Sequence, residues 1–337
     1  MLMQLSPIFI KVIKYIMNKE KALIKKYFVP LSRNSESLNL SNDGAVIKKS
    51  SDLVVTSDMM IENIHFDSLI NPKFLAKKIL RVNLSDLASM GSSPYGYILN
   101  LGLPQTFGHE WLKNFCLGLK QDQIKYDLKL FGGDLSSSKK IFLSVTMIGK
   151  IKKSFLKSVS KKKSDIFVTG NLGDSALGFF FDKQKNFNIN DKLLNYFRTK
   201  HIMPNPRLKI GKDLVGYAEA CRDISDGLIE DLSNICQQSK LKANIFLDKI
   251  PLSKSAKIAK KQVENTINFW ELVLTFGEDY ELIFAMDKIK QNSFFKKNKF
   301  LSTKVTNIGF LSKGSGVEVR DRENKIINFS KFGFSHF

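Results

Sequence analysis

Residues Asn71 to Gly91, NPKFLAKKILRVNLSDLASMG, carry the strongest constraint in this chain. Asn71 suits a helix cap, Pro72 the first helical position, and Gly91 the stop. At 100° per residue Leu75, Ile79, Val82, Asp86 and Met90 share one side of that helix. Asp86 therefore stands inside an apolar stripe, where a carboxylate is costly unless something cationic meets it. A partly wet helix face or a hydrogen-bonded buried Asp would explain this stretch taken alone. Several further carboxylates ask for the same explanation.

At 337 residues two domains are the natural expectation. A hydrophobic content of 43% with 25% charged residues is that of a globular protein. Three cysteines without CxxC spacing argue for a reducing, cytoplasmic setting and against a disulfide framework or zinc. Four scattered histidines argue against a His-based metal centre. The net charge of +21 is compatible with anionic substrates, a nucleic-acid partner or a lysine-rich surface. The lysines are spread, and the run Lys161 to Lys163 reads as a solvated turn. Residues 1–17 fit neither a signal peptide nor a membrane span, and Met17 opens a second plausible start. That segment reads as a dispensable extension.

A short helix is expected over 18–29, then a polar loop, then β-type runs at 45–47 and 53–57. Further strands are expected at 97–102, 128–131 and 141–149, with an amphipathic helix over 109–125. The first half thus runs β-β-α-β-α-β-β, an α+β pattern. The basic connector 150–164 marks the domain boundary, giving an N-terminal domain at 18–149 and a C-terminal one at 150–337. The second half offers strands at 165–169, 220–224, 243–247, 282–285 and 305–310. Helices are expected there from Asp174, over 226–238 and near 254–265, and Pro204 and Pro206 forbid regular helix around 201–207.

Asp43, Asp58, Asp134, Asp223 and Asp226 stand where strands end or loops turn, and Asp86 is the sixth acid. Ligands bind at such strand-end loops in open sheets. Each acid also has an ordinary reading: Ser225 or Asp226 as a helix cap, Asp134 and Asp43 as Asx turns. If they converge, two carboxylates about 4 Å apart repel by roughly 4 kcal/mol at an effective dielectric near 20, and cations or protons must balance them. An oxygen-only donor set favours Mg²⁺, and Mg²⁺ beside phosphate points to metal-assisted phosphoryl transfer. GxxxxGK[ST], GxGxxG and the kinase HRD and DFG motifs are all missing from the sequence.

Five segments, NLSDLASMG (83–91), FGGD (131–134), VTGNLGDSALG (168–178), DISDGLIEDL (223–232) and GEDYEL (277–282), together resemble the thiamine-monophosphate kinase family of the aminoimidazole-ribotide synthetase superfamily. The likeness runs in order from about Lys19 to the last residue. It implies a two-domain α+β fold whose N-terminal sheet pairs with that of a second copy into a dimeric β-barrel, followed by a C-terminal α/β sandwich. It further implies direct in-line phosphorylation of thiamine monophosphate to thiamine diphosphate, with ATP as co-substrate and several Mg²⁺ ions. Carried over by position, Asp43, Thr56, Ser57, Asp58, Asp86, Asp134, Asp223 and Asp226 match metal ligands. Gly133, Asp134 and Ser225 match nucleotide contacts, and His65, Glu278 and Phe334 match contacts to the thiamine phosphate. No nucleic-acid or membrane partner is implied.

Three departures stand out. A paired acid appears as Asn42-Asp43, a Gly-Gly pair as Phe276-Gly277, and an ATP-contacting arginine falls at Lys157 or Ser158. The second is expected to change backbone freedom beside the substrate, and the third to lose bidentate contact. Within the superfamily, selenophosphate synthetase would carry a reactive Cys in its N-terminal segment, and none precedes Cys116. Neither it nor aminoimidazole-ribotide synthetase accounts for GEDYEL beside NLSDLASMG. A basic RNA-binding protein would explain the charge but predicts interleaved aromatic and basic stripes that the sequence lacks.

Overall fold

The computed structural model describes residues 22–37, 47, 52–151, 156, 160, 164–184, 187, 189–263, 267–299, 301, 303–330 and 333. Asp43, Phe334, the expected strand at 45–47, the N-terminal extension and Lys157-Ser158 fall outside them or, like Ile47, carry no strand. The chain forms two compact units, 1–50 with 55–80 and 94–148, and 51–54 with 81–93 and 149–337.

The helix expected from the opening stretch is α1, Pro72–Ser89. Asn71 Oδ1 accepts from the Lys73 amide at 3.0 Å, and the chain leaves through Gly91 at φ +68°. A Cβ at Gly91 would lie 2.4 Å from Val215 Cγ2, so glycine is required twice over. Burial goes well beyond the apolar stripe: Lys78, Arg81, Asn83 and Ser85 are buried with Leu75, Ile79 and Leu87. A helix covered all round is an interior helix. From Arg81 onward it belongs to the second unit, so Asp86 does too.

The first sheet holds β1 (Asp52–Ile61), β2 (Ser93–Leu103), β3 (Lys129–Ser137) and β4 (Phe142–Ile151) in the order β1-β4-β2-β3. It is open, with β1 and β3 as edges. The helix α2 (His109–Tyr126) connects β2 to β3, which pair in parallel as a βαβ crossover requires. One face is apolar and buried, through Tyr97, Leu99, Leu101, Leu143, Val145 and Met147. The other leaves Val55, Met59 and Ile98 exposed.

The second sheet holds β5 (Asp165–Thr169), β6 (Ala218–Asp223), β7 (Leu241–Phe246), β8 (Leu282–Met286), β9 (Val305–Lys313), β10 (Val317–Arg320) and β11 (Ile326–Ile327). Their order is β11-β10-β7-β9-β5-β8-β6. Side chains alternate between two cores. Ile166, Val168, Ile283 and Ala285 enter one with α3 (Asp174–Lys183), α4 (Asp191–Ile202), α6 (Leu228–Ser239), α7 (Lys254–Val263) and α8 (Phe269–Thr275). Phe167, Leu282, Phe284 and Met286 enter the other, with Ala88 of α1, α5 (Leu208–Leu214) and Phe294 of α9 (Lys288–Lys297). Burial on both faces explains why these strands read as unbroken apolar runs. Among the described residues no helix is long and apolar enough to cross a membrane.

Candidate active site

The acidic residues of the second unit gather where β6 ends. Asp223 closes β6 and is buried, and its Oδ2 has no hydrogen-bond partner among the described residues. Burial and then the nearby Asp86 charge push its carboxyl up to about 7, against the pull of Ser85 and Arg222. Asp231, on the first turn of α6, is wholly buried and pushed up to about 8 by burial and by Asp223 and Asp226. Asp86 thus acts as a charge on Asp223, and Asp223 and Asp226 act on Asp231.

Neither Ser225 nor Asp226 caps α6. The N-cap is Gly227 at φ +119°, with no side-chain cap bond. Instead Asp231 Oδ2 reaches back to accept from the Ser225 and Asp226 amides at 3.1 Å each, while Oδ1 lies 3.6 Å from Arg222. The helix thus holds the loop before it, leaving Asp226 half-buried for another role.

The loop Gly277–Glu281 lies against this one. The Glu278 amide donates to Ser225 O at 2.8 Å and the Tyr280 amide to Ile224 O at 2.9 Å. Gly277 and Gly227 make the approach possible, since a Cβ at Gly277 would lie 2.1 Å from Ser225 O and one at Gly227 2.9 Å from Thr275. Glu278 and Tyr280 both hold positive φ, +56° and +50°, a conformation that non-glycine residues keep where the surroundings enforce it. The expectation of altered backbone freedom at Phe276 is corrected here. Phe276 has helical φ and ψ, −76° and −41°, which any residue adopts, and the glycine that matters is retained at Gly277.

The three acids after Gly277 have separate partners. Glu278 Oε2 lies 3.0 Å from His201 Nδ1. Asp279 accepts from the Gly173 amide at the start of α3, and burial pushes its carboxyl well up. Glu281 is paired with Arg207 and also accepts from the Thr169 hydroxyl.

In the first unit, Asp134 lies inside β3, because the strand continues through Gly132-Gly133 to Ser137. It forms no Asx turn; its Oδ2 accepts from Ser136 Oγ at 2.7 Å. A Cβ on Gly133 would come within 1.7 Å of Leu99 O, which fixes glycine there. Thr56, Ser57 and Asp58 are consecutive on β1. Ser57 Oγ lies 3.2 Å from Thr146 Oγ1 on the open face, so Thr56 and Asp58 alternate to the other. Asp134 faces the open side in register with Asn100. Within one chain Asp58 and Asp134 thus occupy opposite edges and opposite faces, on strands three spacings of about 4.8 Å apart. His65 Nδ1 accepts from the Ile61 amide at 3.0 Å, at the turn after β1.

The AIR synthase related protein N-terminal domain matches residues 41–151, and the corresponding C-terminal domain matches 164–321. Thiamine-monophosphate kinase of Buchnera aphidicola subsp. Acyrthosiphon pisum is 38% identical over 327 residues, covering 94% of this chain and 98% of its own. This chain is a member of the thiamine-monophosphate kinase family. Two solved structures agree. The Stenotrophomonas maltophilia thiamine-monophosphate kinase superposes with a TM-score of 0.78 at 29% identity, over 88% of this chain and 95% of that one. The AaThiL complex with AMPPCP and TMP gives 0.74 at 29% identity, over 88% and 91%. Membership makes the chain a kinase with a two-domain AIR-synthase-like fold of mixed α/β content.

Asp231, Arg222, His201 and Arg207 were not singled out in the sequence. Asp231 carries the signal that exposed Asp86: it sits in the apolar arc of Leu228, Leu232 and Ile235. His201 and Arg207 bracket the proline loop 201–207 and carry no local signal of their own.

Proposed function

We propose that this chain transfers the γ-phosphoryl group of ATP directly to thiamine monophosphate, giving thiamine diphosphate. The observation that carries the reading is the pair of hydrogen-bonded loops that puts Asp223 and Asp226 on one frame with Glu278. Groups meeting nucleotide and acceptor are then fixed relative to each other, as a positioning mechanism requires.

The donor set fits Mg²⁺. Asp43, Thr56, Ser57, Asp58, Asp86, Asp134, Asp223 and Asp226 offer only oxygen, and Asp223 keeps a buried oxygen without a partner among the described residues. Among the described residues no group of three or more His, Cys, Asp or Glu forms a ready cage. Mg²⁺ bound beside phosphates needs none, since it completes its shell with phosphate oxygens and water. When bound it neutralises charge on the phosphates. The protein's own part is to hold the nucleotide at Gly133, Asp134 and Ser225. His65, Glu278 and Phe334 orient the acceptor.

The reading includes a cytoplasmic homodimer, which the three buried free cysteines and the open first sheet support. Val55, Met59 and Ile98 stand exposed on that sheet's uncovered face, between strands that are its edges among the described residues. Closing two such sheets into a barrel covers the face.

Incubation with ATP, Mg²⁺ and thiamine monophosphate, read by appearance of thiamine diphosphate, tests the activity. Glu278→Gln is expected to raise KM for thiamine monophosphate more than KM for ATP. Equal rises in both remove Glu278 from the acceptor site.

A further inference from the structure

Beside Glu278 three rings from three elements converge. Phe276, at the end of α8, lies 4.9 Å from Phe179 of α3 and 6.3 Å from His201 of α4, centroid to centroid. Phe179 and His201 are 5.7 Å apart. His201 Nδ1 in turn lies 3.0 Å from Glu278 Oε2 and 3.1 Å from Ser175 Oγ. The rings and the carboxylate thus form one continuous rim. Core packing alone does not account for it, because Phe179 stays 38% exposed while Phe181 on the same helix is buried at 5%. The Phe179 face also draws positive charge: the Lys183 ammonium lies 5.8 Å from its centroid.

An apolar aromatic rim bordered by a half-buried carboxylate suits a flat ring that carries positive charge. The ring faces supply stacking and quadrupole attraction, and the carboxylate balances the charge. Resting on the acceptor proposed above, which carries a cationic thiazolium and an aminopyrimidine, we infer that Phe276 and Phe179 are specificity-determining residues for its ring system. Glu278 is the counter-charge and His201 its positioning partner. Phe276 adopts ordinary helical angles, so this wall is built without backbone strain and is removed without it.

Calorimetric titration of the full chain with thiamine, thiamine monophosphate and ATP tests the assignment, comparing the wild type with Phe276→Gly, Phe179→Ala and Phe276→Trp. Thiamine and thiamine monophosphate are expected to bind about five- to tenfold more weakly to the first two variants. ATP affinity should hold within about twofold, and Phe276→Trp should retain thiamine binding. Weakening of ATP and thiamine monophosphate alike, or less than about a twofold change for thiamine, overturns the wall. So does a wild type that binds no thiamine. A wild type that binds thiamine but forms no thiamine diphosphate instead refutes the proposed reaction and leaves the wall standing.

Discussion

Arg207→Ala should unfold the second unit at markedly lower denaturant. The Arg207 side chain is 16% exposed and that of Glu281 only 6%, and they meet through two guanidinium nitrogens, Nε at 2.6 Å from Oε2. Thr169 Oγ1 also donates to Glu281 at 2.6 Å and accepts from the Leu282 amide at 2.8 Å, tying the pair to β5 and β8. Truncating the arginine strands a buried carboxylate, which costs about 3–5 kcal/mol. For a unit of this size that lowers its midpoint by roughly 10 °C. Trp270 lies in the second unit and Trp111 in the first, so Trp270 fluorescence in a Trp111→Phe background follows the relevant transition in urea. The double change Arg207→Met with Glu281→Leu removes both charges and should recover most of the loss. A single variant within about 1 kcal/mol of the parent, or a double variant no better than the single, refutes the claim that a desolvated ion pair anchors this loop.

Asp86→Asn should reduce turnover by at least about a thousandfold, since in the proposed reaction this carboxylate faces metal and phosphate. Its melting midpoint in EDTA should not fall, because the Asp86 charge is one cause of the raised Asp223 carboxyl and removing it relieves repulsion. Full activity at saturating Mg²⁺, or a clear loss of EDTA stability, contradicts this. In the first unit Glu36 is buried, which raises its pKa, but hydrogen bonds from Lys129, Tyr95, the backbone and Ser35 outweigh that and hold it at about 2. A depressed carboxylate contributes stability above its ordinary value of 4.5, and this contribution, about 3 kcal/mol at most, is lost as pH falls from there toward 2. Glu36→Gln should flatten that part of the acid-stability curve, and an unchanged slope between pH 4.5 and 2 rules the contribution out.

Much of the fold was legible because strong periodicity and punctuation coincide. Asn71-Pro72 and Gly91 bounded α1 correctly, and β5 was placed residue for residue at Asp165–Thr169. What was missed lacked burial contrast. The helix α9, Lys288–Lys297, buries a single residue, Phe294, so its apolar pattern barely rises above its lysines. The helix α4 did carry a signal, since Asn190 Oδ1 caps it through the Leu193 amide at 2.9 Å, but Pro204 and Pro206 close behind it mask that signal. GGD was read as a strand running into a loop, yet β3 continues to Ser137, because a glycine can press against Leu99 O without breaking the ladder.

The division of labour inside the site was not legible, and the reason is conformational. Glu278, Asp279 and Glu281 follow one another within four residues, and strand alternation would set 279 and 281 on one side and 278 on the other. The left-handed angles at Gly277, Glu278 and Tyr280 break that alternation. Asp279 then turns to the Gly173 amide, Glu281 to Arg207, and Glu278 alone to His201 and the aromatic rim. Here a second segment supplies the acceptors that hold these angles, Ile224 and Ser225. The loop that carries Asp223 and Asp226 therefore shapes the loop that presents Glu278. Loosening Asp231's grip on the Ser225 and Asp226 amides should disturb both ends of the reaction at once, while loosening the rim should disturb only one.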